Sequence, residues 1–349
     1  MNFLVTLLIL IIILSLIVFI HEFGHFISAK KRGIYVHEFA IGMGPKIFSF
    51  KRKNDETIYS LRIFPLGGFN AIAMSEGDFK IDKNRTLEHK KYWEKILVLS
   101  MGIIFNLILT IVLLFINGLI YGSPNNTPII GEVITGSASD TAGLNKGDKI
   151  LKIGDKKVET WDDVLLEINY IEKDEKTYTF VVERDEKIYS FNVTPLIEVN
   201  EKGEESKIFG FSTSTSKDTG LLAAVKYSIT GFKEMFVSLF KILGNLFTGK
   251  IGLNNLSGPV GVYNVIDQVK ASGLETIIYL TAYISVNVGI INLLPFPAFD
   301  GGRILIYTIE KIKGKKLNPK FETILNNIGM VLLILLFVYV TFNDILKLF

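Results

Sequence analysis

Residues 3–25 read FLVTLLILIIILSLIVFIHEFGH, an apolar run over Phe3–Ile20 that passes without a break into His21-Glu22-Phe23-Gly24-His25. A hydrocarbon core about 30 Å thick needs about 20 mostly apolar residues as helix, so the run reads as a membrane span. On that helix, positions i and i+4 share one face about 6 Å apart along the axis. Two imidazoles so placed can grip one Zn²⁺, and the adjacent glutamate can reach a water at the open coordination position as general base. The alternative is a pair of solvated histidines snorkelling beside Lys30-Lys31-Arg32. It leaves unexplained why three ionisable side chains continue an apolar helix, an arrangement that is costly and functional by default.

The rest of the chain supports a membrane protein. Its 349 residues are 49% hydrophobic and 21% charged, with mean hydropathy +0.37, which excludes an ordinary cytosolic enzyme. The absence of cysteine excludes disulfides, thiolate metal sites and a cysteine nucleophile. A net charge of +3 without a dense basic stripe argues against a nucleic-acid partner. Three further spans are expected at Ile96–Ile120, Ile277–Leu294 and Ile328–Leu346. The first run has neither a basic n-region nor a small-residue cleavage site, so it reads as a span rather than a signal peptide. Residues 28–92 carry 13 Lys/Arg and 7 Asp/Glu (+6), residues 121–215 carry 11 and 18 (−7), and residues 303–327 carry 6 and 2 (+4). Positive loops stay in the cytoplasm, which places residues 121–275 outside. Spans one and three then run in parallel, both ending at the cytoplasmic side.

A catalytic zinc keeps three protein ligands and one open position. His37 and His89 lie in polar, charged surroundings and read as ordinary surface histidines. The better third ligand follows span three, in Asn292-Leu293-Leu294-Pro295-Phe296-Pro297-Ala298-Phe299-Asp300-Gly301-Gly302-Arg303. Pro295 and Pro297 break the helix, and non-helical backbone at membrane depth must be buried in protein or line a wet cavity. Asp300 is presented at the level where span one presents His21 and His25. Capping a helix over Gly301–Glu310 is its other reading, and a carboxylate can do both.

With these residues the chain resembles the site-2 protease family of intramembrane zinc metalloproteases, in its RseP/RasP-type bacterial branch. The resemblance rests on His21–His25, Pro65-Leu66-Gly67-Gly68-Phe69, Ser257-Gly258-Pro259-Val260-Gly261 and the Asn292–Arg303 stretch, and covers nearly the whole chain. It implies zinc held by His21, His25 and Asp300, Glu22 as the base, and Asn287 and Asn292 near the substrate strand. It also implies a bacterial cytoplasmic-membrane location. The substrates implied are single-span membrane proteins such as anti-sigma factors, or remnant signal peptides. Two departures are visible: Gly102 is followed by Ile103 where the family usually has Gly-Pro ahead of the asparagine, here Asn106, and Phe299 replaces the usual leucine before the aspartate.

The expected architecture is therefore an α-helical polytopic membrane protein with four transmembrane helices, a cytoplasmic membrane-associated β-hairpin region and an extracytoplasmic PDZ-like α+β domain. Residues 1–120 hold spans one and two with the hairpin, 121–200 the PDZ-like domain, 201–275 a linker with interfacial amphipathic helices, and 276–349 spans three and four. Within 128–196, β-rich Ile129–Ile134 and Tyr178–Arg184 flank a Gly143-Leu144…Gly147-Asp148 turn, and Thr160 with Asp163 forms a capping box. The resemblance to a PDZ domain implies one module that adds a peptide as an extra strand, or one that excludes bulky substrates. Phe48–Lys51 and Thr57–Ile63 alternate as paired strands around Arg52–Glu56. Leu221–Phe247, with Lys226, Lys233, Glu234 and Lys241 interspersed, reads as helices in the outer interface. Two other functions fit parts of the pattern: a non-catalytic membrane-anchored PDZ scaffold, and a metal transporter, although no second acidic relay supports the latter.

Overall fold

The computed structural model describes residues 2–75, 77, 79–124, 127–170, 177–199, 205–213, 217–249, 251–253 and 256–347. In chain order its helices are α1 (Asn2–Lys31), α2 (Tyr92–Tyr121), α3 (Ala138–Ala142), α4 (Trp161–Tyr170), α5 (Leu221–Phe247), α6 (Pro259–Val269), α7 (Leu274–Leu293), α8 (Asp300–Lys313) and α9 (Pro319–Leu346). Four of them contain stretches long and apolar enough to cross a membrane: Phe3–Lys31, Tyr92–Tyr121, Leu274–Leu293 and Lys320–Leu346. These coincide with the four spans expected from the sequence, and the chain is a polytopic α-helical membrane protein. In lipid every backbone polar group must be satisfied within the segment, which is why runs rich in β-branched Ile and Val are helical here. Their exposed Leu8, Ile12, Ile108, Val112, Leu332 and Phe337 are the surface hydrocarbon solvates.

The chain divides into two compact units, Met1–Tyr121 with Ala224–Phe349, and Gly122–Ala223. In the first, α2 lies between α1 and α7. Leu10, Ile13 and Ile17 of α1 pack on Ile266 of α6, and Leu114 packs on Met235 and Leu239 of α5 and on Ala282, Val286 and Ile290 of α7. Residues 221–247 thus form one continuous helix rather than several. Strands β1 (Val36–Lys51) and β2 (Ile58–Ile72) follow α1. Phe48–Lys51 pair with Ile58–Leu61 as the alternation predicts, and the pairing goes further. Phe39 and Ala40 have partners both in Tyr59–Ser60 and in Phe69–Asn70, so the two long strands curl into a small sheet with residues 68–71 along one side. Phe26, Ala29, Ile34, Val36 and Phe39 join this sheet to α1 and to Val98 and Leu99 of α2.

A buried carboxylate ties the C-terminal helix to the rest of this unit. Asp344 of α9 accepts the amides of Gly258 and Gly261, both at 2.8 Å, at the start of α6. A Cβ on either glycine would stand 3.0 Å from that carboxylate. The Ser257–Gly261 motif is therefore a carboxylate-capped helix start.

In the second unit the further strands are β3 (Ser123–Pro124), β4 (Ile130–Val133), β5 (Lys149–Ile153), β6 (Lys156–Lys157), β7 (Tyr178–Arg184), β8 (Lys187–Val193), β9 (Leu196–Val199), β10 (Glu205–Ile208), β11 (Phe211–Thr213) and β12 (Lys217–Asp218). A four-stranded antiparallel sheet in the order β6-β5-β7-β8 covers a core of Leu144, Ile150, Trp161, Val164, Phe180 and Val182. The capping box is formed: Thr160 Oγ1 accepts the Asp163 amide at 3.2 Å, and Asp163 Oδ2 accepts the Thr160 amide at 2.9 Å. Asp148 of the Gly-Asp turn is fully buried and takes a two-pronged ion pair from Arg184, 2.6 and 2.7 Å. The unit extends past residue 200, because β11 pairs with β4 and Phe209 is buried in the same core. Phe209 and Phe211 pack on Trp161, Tyr178 and Phe180, and their strand partner β4 lies still further upstream, too far for local periodicity to indicate.

Candidate metal centre

His21 and His25 lie on the same face of α1, with ring centroids 4.8 Å apart, as the i, i+4 spacing requires. Asp300 comes to them through a tight reversal of the chain. Helix α7 ends at Leu293 ahead of Pro295, and the Phe296 amide then reaches the Leu294 carbonyl at 2.7 Å and the Phe299 amide the Phe296 carbonyl at 2.9 Å. Gly301 and Gly302 press the first turn of α8 onto this backbone. A Cβ at Gly301 would lie 2.5 Å from the carbonyl carbon of Leu293, and one at Gly302 would lie 2.6 Å from that of Phe296. Phe299 is the N-cap of α8 and makes no side-chain cap, so the carboxylate of Asp300, the first helical residue, is free to face α1.

The result is a triangle. Asp300 Oδ2 stands 3.2 Å from His21 Nε2 and 3.2 Å from His25 Nε2, and the two Nε2 atoms are 3.2 Å from each other. Tetrahedral coordination with bonds of about 2.0–2.1 Å places ligand atoms about 3.3–3.4 Å apart, which this spacing meets. The chemistry of His25 agrees. Its Nδ1 lies 2.9 Å from the Val98 carbonyl, which can only accept, so Nδ1 carries a proton and, in the neutral tautomer, the lone pair on Nε2 faces the triangle. Two ring nitrogens and a carboxylate oxygen at this spacing form a donor set suited to a divalent cation.

Two glycines make the approach of α1 to α2 possible. A Cβ on Gly24 would sit 2.7 Å from the Met101 carbonyl carbon, and one on Gly102 would stand 2.7 Å from His25 Cε1 and 2.8 Å from His21 Cε1. One turn on from Gly102, Asn106 is fully buried with its amide nitrogen 3.4 Å from His21 Nδ1.

A cavity of about 500 Å³ opens on the triangle, lined by His21, Glu22, His25 and Asp300 together with Asn70, Asn292, Arg303 and Asn326. Glu22 is thus beside the two histidines. Asn292 is on the wall, its amide donating to its own helix at Val288, 3.0 Å. Asn287 is not a wall residue, and its amide donates to the Tyr283 carbonyl at 2.7 Å. The amide of Asn70, on the outer run of β2, donates to the Glu22 carbonyl at 3.4 Å. The remaining histidines are elsewhere, as expected: His37 stacks on Phe79, and His89 Nδ1 meets the Thr86 hydroxyl at 2.9 Å. Sequence reasoning did not select Asn70 or Asn326, and it met Gly102 and Asn106 only as a departure from the family's second-span pattern, with no role at the site.

The description of peptidase family M50 matches residues 9–336. The chain belongs to that family. Among its relatives, the zinc metalloprotease RasP of Bacillus licheniformis is 32% identical over 97% of this chain and 98% of its own length. The regulator of sigma-W protease RasP of Bacillus subtilis is 33% identical with the same coverage. A putative zinc metalloprotease of Fusobacterium nucleatum is 34% identical over 99% of both chains. The M50 chain is accordingly an enzyme of the zinc metalloprotease class, in agreement with the reading of His21–His25.

Proposed function

We propose that the protein is an intramembrane zinc endopeptidase that holds its metal with His21, His25 and Asp300 and uses Glu22 as general base. The carrying observation is the triangle of Nε2, Nε2 and Oδ2 at 3.2 Å, with His25 Nδ1 held on the far side by the Val98 carbonyl. Zinc bound there supplies Lewis acidity and lowers the pKa of water to about 7. Glu22, on the cavity wall, takes a proton from the attacking water as its oxygen adds to the scissile carbonyl carbon. It then passes that proton to the leaving nitrogen as the C–N bond breaks, so the products are a carboxylic acid and an amine, which ionise to a carboxylate and an ammonium by transfer of the second water proton.

A helical substrate hides its carbonyls, so it must unwind to be cut, and its freed backbone groups then need partners at membrane depth. Residues 68–71 pair with residues 38–41 on one side, and Asn70 of that run lines the cavity. This supports strand addition of the substrate beside the metal. Of Asn287 and Asn292, the wall position of Asn292 favours it as an amide anchor for the same strand.

The substrates proposed are single-span membrane proteins, such as anti-sigma factors, or remnant signal peptides. The site is proposed to lie near the cytoplasmic side of a bacterial cell membrane, with residues 122–223 outside as a PDZ-like module that binds peptide or excludes bulky substrates. The loop charges of +6, −7 and +4 support that orientation. In detergent, Glu22→Gln should abolish cleavage of a model transmembrane substrate while zinc content stays stoichiometric. Undiminished cleavage by that variant refutes the assigned base.

A further inference from the structure

Burial and hydrogen bonding single out Asn106. It lies on the face of α2 that carries Gly102, and its carbonyl accepts the hydroxyls of Thr110 and Ser285 at 3.0 and 2.9 Å. These bonds hold the residue in place, and Gly289 packs so near that a Cβ added to it would lie 3.5 Å from the Asn106 Cβ. One end of its carboxamide, Nδ2, faces His21 Nδ1 at 3.4 Å; the other end, Oδ1, is buried with no hydrogen-bond partner among the described residues. Nδ2 can only donate, so in this orientation it requires a lone pair on His21 Nδ1 and a proton on His21 Nε2. That tautomer directs an N–H into the triangle, where a lone pair is needed.

We propose that Asn106 is a positioning residue that accepts a hydrogen bond from His21 Nδ1–H through its Oδ1 and so fixes the imidazole as a metal ligand through Nε2. The inference rests on the zinc reading above. The two ends of a carboxamide are nearly isosteric, so a half-turn exchanges them without displacing a neighbour. The half-turn moves no bonded group on the far side, because that end has no partner in the present orientation. The two ligand histidines are then treated alike: the Val98 carbonyl fixes His25, and the Asn106 carboxamide oxygen fixes His21. Acceptors of this kind set the tautomer and ring orientation of metal-bound histidines. Gly102 and Asn106, four residues apart, have complementary tasks on one helix face: one makes room for the rings and the other orients one of them.

The test is zinc affinity of the purified full-length chain in detergent, measured by competition with a chelating dye for the wild type, Asn106→Leu and Asn106→Asp. Asn106→Leu removes the acceptor and should weaken zinc binding about 10- to 100-fold. Asn106→Asp keeps an acceptor but no donor, and should bind zinc at least as tightly as the wild type. A purely packing role would not distinguish the two variants in this way. Wild-type affinity in Asn106→Leu, or an Asn106→Asp variant as weak as the leucine one, overturns the inference. If the leucine variant does not fold, the aspartate variant decides alone, because an amide that donates to Nδ1 is lost in it. A wild type without stoichiometric zinc overturns the zinc reading itself, and this inference with it.

Discussion

Adding a single methyl group at Gly102 tests the site most directly. An ideal Cβ there lies 2.7 Å from His25 Cε1 and 2.8 Å from His21 Cε1, whereas carbon atoms in contact settle at about 3.5–4.0 Å. Each ring must therefore give way by at least about 0.7–0.8 Å, the difference between about 3.5 Å and these two distances. The usual escape, a retreat of one helix, would give up the close packing of Gly24 of α1 on the neighbouring Met101 carbonyl. His25 is also tied to Val98 of the same helix, so moving α2 carries its ring along. Metal–ligand distances tolerate about 0.2 Å, and a misplacement of about 1 Å at a catalytic site costs about 100-fold in rate. Gly102→Ala should therefore lose about 100-fold in kcat/KM on a model transmembrane substrate and bind zinc more weakly in dye competition. Gly244→Ala is the control, since a Cβ there meets nothing within 4 Å and helical Ala is favoured over Gly by about 1 kcal/mol. If Gly102→Ala kept its zinc affinity and cleaved within about threefold of the wild type, the close approach of α1 to α2 would have been misjudged.

Two other consequences concern stability. Asp344→Ala leaves the half-buried amides of Gly258 and Gly261 without their acceptor and should cost about 1–3 kcal/mol, read as a lower unfolding midpoint in detergent, with Asp344→Asn intermediate; equal midpoints for all three proteins would contradict the cap. At the end of α1, burial pushes the Asp55 carboxyl up. The Lys30 ammonium at 2.5 Å, the Thr57 amide at 3.0 Å and the Tyr59 hydroxyl at 2.8 Å outweigh this and hold it well below the usual carboxylate range. A folded-state pKa depressed in this way stabilises the protein fully above about pH 4 and progressively less as pH falls toward the folded value. The acid limb of a stability–pH curve should accordingly be shallower in Asp55→Asn, and parallel curves would remove Asp55 from that role.

The parts of this protein that could be read from its sequence are those governed by local chemistry. The i, i+4 histidines need only helical geometry, and the spans need only length and hydropathy. The Thr160–Asp163 capping box closes within four residues, and Phe48–Lys51 finds Ile58–Leu61 across one turn. Asp300 was legible for a longer-range reason: the loop charges implied parallel spans one and three, and two prolines marked where irregular backbone would present a carboxylate. Whether Asp300 would cap a helix or face the histidines remained open, and the structure resolves it by making Phe299 the cap.

What lay beyond the sequence depends on how closely helices approach one another. The fit of Gly102 to two imidazoles, of Gly301 and Gly302 to the proline turn, and of Asp344 to the start of α6 are each set by packing to within an ångström. A period of 3.6 residues carries no such distance. Sequence by itself determined which residues could form a metal site in a membrane. The tertiary structure decided that the three would-be ligand atoms stand 3.2 Å apart and which helix carries the groups that orient them, because donor separations and hydrogen-bond partners exist only once helices distant in the chain are packed side by side.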